Sequence, residues 1–338
     1  AQDASGSKLT GMPGVGHGGT HLTSWIQELK KLDIEGHVGV TSLGFSPDNA
    51  LLAAGLGPSL CLLSQALVVK WHLPDAHSGS LVRCVAFAGR SLVSGGADGN
   101  IKLWDVASGE ELAVLQGHSA DVHGVAVAFS NTDVLATSSA DCTVKLWQHG
   151  VLGQSLAGHE GPVFSVGFSR DDSLLVSASE DRTARIWHHA DGACLAILIG
   201  HKNAVRKACF GNKRSSSLVV TGSSDGTAML WKLPSQFHGD VVELSPLHIC
   251  KAHTAGITDL AIGENGETLC TASADKSLKL WTLKDGVFAR SLTGGGSLTA
   301  VAFSTAGSAR IASATSRGMI KIWGIVPKGS ESGMFACR

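Results

Sequence analysis

A histidine that follows a small residue recurs six times at near-constant intervals along this 338-residue chain. Five of these histidines are followed by a tryptophan 27 to 30 residues later. The dipeptides are Gly36-His37, Ala76-His77, Gly117-His118, Gly158-His159, Gly200-His201 and Ala252-His253, and the tryptophans are Trp104, Trp147, Trp187, Trp231 and Trp281. A repeat of roughly 40 residues with fixed internal spacing is typical of an array of one small module. Such arrays commonly present an extended binding surface.

The unit that begins at His159 shows what one module contains. Short apolar or alternating runs occupy residues 163–168, 174–179, 183–187 and 193–198, and clusters rich in Asp, Ser and Gly separate them. Runs of this length bounded by turn residues predict antiparallel strands joined by tight turns. Each unit is therefore predicted to form a four-stranded sheet.

The spacing within the units resembles the WD-repeat family of β-propellers, although the Trp-Asp dipeptide itself is complete only at Trp104-Asp105. In five units a Ser or Thr stands four residues before a turn Asp, and the Trp stands six residues after it. The resemblance implies a propeller of four-stranded blades. It also implies that His, Ser or Thr, Asp and Trp form a hydrogen-bonded structural network within each blade. The matching sets are His77, Ser94, Asp98, Trp104; His118, Thr137, Asp141, Trp147; His159, Ser177, Asp181, Trp187; His201, Thr221, Asp225, Trp231; and His253, Thr271, Asp275, Trp281.

Two incomplete units flank these five and bring the predicted number of blades to seven. The first has Gly57 and Leu63 at its Asp and Trp positions, and the last has Gly295 and Arg317 at its His and Asp positions. Residues 31–34 are expected to supply the fourth strand of the last blade and close the ring, as the resemblance implies. Residues 24–29 are compatible with a helical turn or a strand. The expected organisation is a flexible Gly/Ser-rich leader at 1–21, one propeller at 22–326 and a tail at 327–338.

Composition narrows the class of function. The net charge of −1 and the isoelectric point near 7.0 give no electrostatic reason to expect nucleic acid as a partner. The eight cysteines form no C-x-x-C motif and lie mostly in apolar runs, which predicts small buried side chains in a reducing compartment. No apolar run reaches the roughly 18 residues of a membrane span. We therefore expect no membrane insertion and no signal peptide.

Several motifs invite a catalytic or metal-binding interpretation, and each has a simpler one. A Ser/Thr, His and Asp set in every complete unit suggests a hydrolase triad, but five copies at fixed offsets favour a structural role. The match to G-x-S-x-G at 222–226 lies in a strand-to-strand turn, not at the required elbow between a strand and a helix. The match to G-x-G-x-x-G at 14–19 follows no strand. His188 and His189, adjacent on a strand, point to opposite faces. We therefore predict no enzymatic activity, catalytic residue, cofactor or metal.

Two candidate partner-binding surfaces remain. Arg83, Phe164, Glu180 and Arg206 are expected near the narrow face of the ring, where the resemblance implies that partners often bind. Lys213, Arg214 and Phe237 are expected on the opposite, wider face of the ring. Lys213 and Arg214 lie between the first two strands of the fifth blade, and Phe237 lies in the unusually long connection between Trp231 and His253. Ordinary solvated loops and a tolerated insertion explain these residues equally well.

The predicted function is a non-catalytic protein-protein interaction scaffold, a propeller subunit of a multi-protein assembly. One alternative is a recognition domain of a larger protein or of a ubiquitin-ligase complex. A nucleic-acid-associated propeller is a further alternative, which the near-neutral charge disfavours. The expected partners are other proteins within a large complex, with no small-molecule substrate. The expected location is intracellular and cytoplasmic, with nuclear, cytoskeletal or ciliary association left open.

Overall fold

The computed structural model describes residues 24–34, 39–212, 217–251, 253–304 and 310–327. Every regular element within these ranges is a β-strand, and none of them is a helix able to cross a membrane. The proposed leader at 1–21, His37, Lys213, Arg214 and most of the C-terminal tail lie outside the described residues.

The strands form seven sheets, each built on four antiparallel strands, which are the blades of a propeller. Blade 1 contains β2 (Val40–Phe45), β3 (Leu51–Leu56), β4 (Ser59–Ser64) and β5 (Val69–Leu73); blade 2 contains β6 (Val82–Ala88), β7 (Ser91–Gly96), β8 (Ile101–Asp105) and β9 (Glu111–Leu115). Blade 3 contains β10 (Val122–Val127), β11 (Val134–Ser139), β12 (Val144–Gln148) and β13 (Val151–Leu156). Blade 4 contains β14 (Val163–Phe168), β15 (Leu174–Ser179), β16 (Thr183–His188) and β17 (Cys194–Ile199).

The remaining three blades follow the same plan with two variations in strand origin. Blade 5 contains β18 (Val205–Phe210), β19 (Leu218–Ser223), β20 (Thr227–Lys232) and β22 (His248–Lys251), and blade 6 contains β23 (Ile257–Ile262), β24 (Thr268–Ser273), β25 (Ser277–Thr282) and β26 (Phe288–Thr293). Blade 7 contains β27 (Leu298–Phe303), β28 (Arg310–Thr315), β29 (Met319–Pro327) and β1 (Ser24–Asp33). A short extra strand, β21 (Val242–Leu244), joins blade 4.

The ring closes where β1 pairs with β29, as the sequence predicted. The pairing runs antiparallel from Ser24 opposite Pro327 to Asp33 opposite Met319, with one bulge. Residues 24–29, which the sequence left open between helical turn and strand, are therefore part of this strand. A salt bridge of 2.7 Å between Lys321 Nζ and Glu28 Oε2 adds a side-chain link between the two strands.

The strand β21 was not anticipated from the sequence. It comes from the long connection between β20 and β22, and it pairs in parallel with β17 at the outer edge of the preceding blade. Ala196 stands opposite Val242, and Leu198 stands opposite Leu244. The insertion therefore bridges two blades and covers an edge strand that would otherwise be open to solvent.

The core consists of apolar clusters between neighbouring blades, because each twisted sheet buries both of its faces against the next. The cluster between blades 4 and 5 includes Val176, Ile186 and Trp231, all fully buried. The strands of blades are accordingly rich in Val, Ile, Leu and small residues, which fit a buried pleated surface.

Blades 1 and 7, the two incomplete units, share one apolar cluster where the ring closes. In blade 1, Ala53 and Leu63 occupy the positions of the Ser or Thr and the Trp, and both are buried. The shared cluster includes Leu63, Ala312 and Ile320. Apolar packing thus occupies the space that hydrogen-bonded side chains fill in the other blades.

Candidate functional site

The His, Ser or Thr, Asp and Trp side chains meet in each of the five complete blades. In blade 3, the indole N–H of Trp147 donates to Thr137 Oγ1 at 2.8 Å, and that hydroxyl lies 2.8 Å from His118 Nε2. His118 Nδ1 lies 2.7 Å from Asp141 Oδ2. Because the carboxylate can only accept, it fixes the neutral imidazole with its proton on Nδ1, so that the hydroxyl donates to Nε2.

The other four blades repeat this geometry closely. In blades 2, 4, 5 and 6 the distance from Trp Nε1 to the hydroxyl is 2.8 to 3.0 Å, and the distance from the hydroxyl to His Nε2 is 2.7 to 2.8 Å. The distance from His Nδ1 to the Asp is 2.7 to 3.0 Å. Blade 7 retains only the bond from Trp323 Nε1 to Ser313 Oγ, at 2.8 Å.

Burial sets the ionisation of these groups. It lowers the pKa of His77, His118, His201 and His253, although the neighbouring carboxylates oppose the shift. Burial on its own would raise the pKa of Asp275, but hydrogen bonds from Ser277 and His253 outweigh it and lower that pKa to about 2. The networks of these four histidines therefore hold a neutral imidazole beside an ionised carboxylate at neutral pH.

The same geometry argues against a catalytic use of the hydroxyls. The five residues that carry them have no exposed surface, and each hydroxyl oxygen already accepts an indole N–H. A nucleophile needs an approach path for the substrate and a free position near a group that stabilises the oxyanion. These hydroxyls have no such path.

The other motifs also occupy ordinary structural positions. Residues 222–226 run from the end of β19 into a tight turn, where Gly226 has a φ of 81°. His188 Nδ1 lies 2.9 Å from Asp191 Oδ1, whereas His189 Nδ1 lies 2.9 Å from the carbonyl oxygen of Asp172. No group of three or more His, Cys, Asp or Glu side chains suited to a metal ion occurs among the described residues.

One cluster of polar and aromatic side chains is accessible at the mouth of the central channel. Arg83 donates from Nε and Nη2 to Asp121 Oδ2 at 3.1 and 2.8 Å, linking blades 2 and 3. The guanidinium of Arg206 lies 4.3 Å from the ring centroid of Phe164, and the ring of His123 lies 5.3 Å from Phe164 on another blade. Arg83, His123, Phe164 and Arg206 line one opening.

The structure therefore brings together Arg83, Phe164 and Arg206, three of the four residues predicted for the narrow face. The fourth, Glu180, is exposed on the turn between β15 and β16. Its charge reaches the mouth, because it favours the protonated form of His123, whose pKa is nevertheless lowered by burial. Arg206 Nε also donates to Ser224 Oγ at 2.9 Å, which holds the guanidinium over the ring.

The channel contains an ion pair that the sequence did not predict. Lys207 Nζ of blade 5 lies 3.5 Å from Asp259 Oδ1 of blade 6, and this carboxylate raises the pKa of the lysine. Asp259 Oδ2 also accepts the backbone N–H of Val301 in blade 7 at 2.9 Å. The pair therefore connects blades 5, 6 and 7. Its residues are far apart in the sequence, and no local motif predicts such a contact.

The second predicted surface is only partly described. Phe237 is half-buried and packs against the apolar cluster between blades 4 and 5. Its predicted companions, Lys213 and Arg214, lie outside the described residues.

The family model for "WD domain, G-beta repeat" matches residues 27–60, 69–105, 109–148, 150–188, 192–232 and 244–282. The chain belongs to this family. The seventh blade lies outside the matched ranges apart from residues 27–33 of β1, in keeping with its incomplete network.

The chain is also similar to individual proteins of this family. It is 27% identical over 269 residues to a "Guanine nucleotide-binding protein subunit beta" of Oryza sativa subsp. japonica, with 72% of this chain and 69% of the relative covered. A protein of the same description from Zea mays is 28% identical over 270 residues, with the same coverage. "Nuclear distribution protein nudF 1" of Talaromyces marneffei is 32% identical over 198 residues, which are 55% of this chain and 42% of that protein. The chain is thus a WD-repeat propeller that resembles β subunits of guanine nucleotide-binding proteins and nudF proteins.

Proposed function

We propose that this propeller is a subunit of a multi-protein assembly, has no enzymatic activity and binds a protein partner at the mouth of its channel. The observation that carries the proposal is the contrast between two sets of side chains. The Ser/Thr, His and Asp sets that resemble catalytic triads have buried hydroxyls that are already hydrogen-bonded. Arg83, Phe164 and Arg206, by contrast, come from three different blades and line one accessible opening.

The chemistry of the mouth suits a protein partner. Phe164 offers an apolar ring between His123 and Arg206, and the Nη atoms of Arg206 make no bond with another described residue. Arginine and aromatic side chains together are enriched where interfaces bind tightly. Glu180 supplies a negative charge at the rim, which would orient a partner of mixed charge.

The experiment is affinity purification of the tagged chain with crosslinking, followed by comparison with the double variant Glu180→Arg and Arg206→Glu. We expect the crosslinked partner to be lost or reduced severalfold, since both rim charges are reversed. The matched control is Glu110→Arg with Lys284→Glu, two exposed charges elsewhere on the ring. Unchanged recovery of every partner with the first variant would reject the channel mouth as the binding site.

A second partner surface is proposed on the opposite face, where the exposed part of Phe237 would act with Lys213 and Arg214. Deletion of residues 235–242, together with the milder Phe237→Ala, tests it. Retention of all native partners by both variants would reject docking there. We further propose an intracellular, cytoplasmic location, which is supported by the seven described cysteines, all of them free thiols.

A further inference from the structure

An open apolar groove lies between blades 1 and 2, away from the channel mouth. It has a volume of about 830 Å³, and its walls include Leu51, Leu62, Trp71, Phe87 and Val106. The indole N–H of Trp71 donates to the carbonyl oxygen of Val106 at 2.9 Å, so the two blades hold this wall in place. A preformed apolar cleft with aromatic walls is typical of a binding site.

The rim of the groove carries both signs of charge, and one oxygen of each of its two carboxylates is engaged in hydrogen bonds to neighbouring residues. Asp48 accepts bonds from Ser46 Oγ and from the N–H of Ala50, and Asp105 accepts three bonds from Ala107 and Ser108. The side chains of Lys70 and Arg90 are exposed and make no hydrogen bond or ion pair with another described residue, although Arg90 lies near enough to Asp105 to help lower the pKa of that carboxyl. The rim can therefore receive carboxylates on either side of an apolar group.

The chain itself shows what such a groove can hold, because blades 4 and 5 form the equivalent groove. The strand that begins at Leu174 in blade 4 corresponds to the strand that begins at Leu51 in blade 1. In each blade the backbone N–H of a serine five residues earlier, Ser169 or Ser46, donates to the carbonyl oxygen of that leucine. Phe237, from the insertion of blade 5, forms part of the wall of that groove. An aromatic side chain from a segment that leads into a strand thus already packs at the equivalent site.

The same insertion then adds β21 to the outer edge of blade 4. Ala196 of β17 pairs with Val242, and Ala196 corresponds to Trp71 of β5, since each stands opposite the same position of the third strand. In blade 1 the outer edge of β5 has no partner strand among the described residues. The inserted segment also carries Asp240 and Glu243, so it is both apolar and acidic.

We infer that the groove between blades 1 and 2 binds an extended, acidic segment of a partner protein. An aromatic side chain of that segment packs against Trp71 and Phe87. The following residues add a parallel strand to β5, and carboxylates of the segment pair with Lys70 and Arg90. Addition of a strand to an exposed edge, with pockets for alternate side chains, is an established way of binding peptides. This site shares no residue with the channel mouth.

The test uses a fluorescein-labelled peptide that copies residues 235–245, titrated into the full chain. We expect saturable binding with a dissociation constant below about 1 mM. A peptide with alanine in place of its phenylalanine, and another with lysine in place of its two acidic residues, should bind several times more weakly. Amide protection should rise at residues 71–73 when the peptide is bound.

Variants of the protein locate the site. Lys70→Glu with Arg90→Glu should weaken binding by roughly tenfold, since two attractions become repulsions. Lys232→Glu is the control, an exposed lysine at the end of β20, next to Leu233 in the wall of the groove between blades 4 and 5. Arg206→Glu should leave peptide binding unchanged, which separates this site from the proposed channel-mouth site.

Three results would overturn the inference. The first is no binding at millimolar peptide, or equal binding of all three peptides. The second is weakening by Lys232→Glu alone, which would mean that the peptide replaces the chain's own β21. The third is a dimer in sedimentation that the peptide dissociates, which would make a second copy of this chain the occupant.

Discussion

The variant Thr137→Val removes one hydroxyl and almost no volume from the network of blade 3. Thr137 is fully buried, and its oxygen joins Trp147 Nε1 and His118 Nε2, each at 2.8 Å. The substitution leaves both nitrogens buried without a partner. An unsatisfied buried polar group costs about 1–3 kcal/mol, so we expect a loss of about 2–6 kcal/mol in the free energy of unfolding. Domains commonly have about 5–15 kcal/mol in total.

The assay is chemical denaturation followed by tryptophan fluorescence and circular dichroism. Thr254→Val, at an exposed threonine, is the control for the change of residue type and should alter stability by less than about 0.5 kcal/mol. The double variant Thr137→Val with Trp147→Phe should cost less than the sum of the single variants, because it removes the stranded N–H as well. A loss below about 0.5 kcal/mol for Thr137→Val would refute the reasoning, since the hydroxyl would then contribute nothing that packing does not replace.

Three further predictions concern pH and the inserted strand. Because burial lowers the pKa of His77, His118, His201 and His253 in the fold, the unfolded chain takes up protons first, and stability should fall between pH 7.5 and 5.5 in denaturation experiments. The contribution of Asp275 is present above its unfolded pKa of about 3.9 and is lost towards 2; Asp275→Asn should therefore flatten the pH dependence in that window. Deletion of residues 235–242 should increase amide exchange in β17 but not in β13, which has no added strand.

The repeating parts of the structure were predictable because they depend on local spacing. A Ser or Thr four residues before Asp98, and Trp104 six residues after it, can be read within one hairpin, and the hairpin brings them together. The strand that closes the ring was also predicted, although residues 24–29 gave no decision between helix and strand. Residues 24–29 form a strand because they pair with β29, and such tertiary contacts override a weak local preference for helix or strand.

The contacts between distant segments were not predictable from one sequence. The parallel pairing of β21 with β17 depends on three residues from an insertion, which is too short a run to identify as a strand. The ion pair of Lys207 with Asp259 and the groove beside Trp71 likewise join different blades. Trp71 did carry one signal, since it is a tryptophan outside the repeating period.

We propose that the hydrogen-bonded networks stabilise the ring and that the ring is weakest where they are missing. Blade 1 has no described network, blade 7 has one bond of it, and the two blades meet where the chain closes the ring. Native-state amide hydrogen exchange measures the local opening free energy directly. We predict faster exchange at residues 60–63 and 320–323 than at residues 143–147 of blade 3. Equal protection in all three segments would contradict the claim, because apolar packing alone would then hold the seam as firmly as the networks hold the other blades.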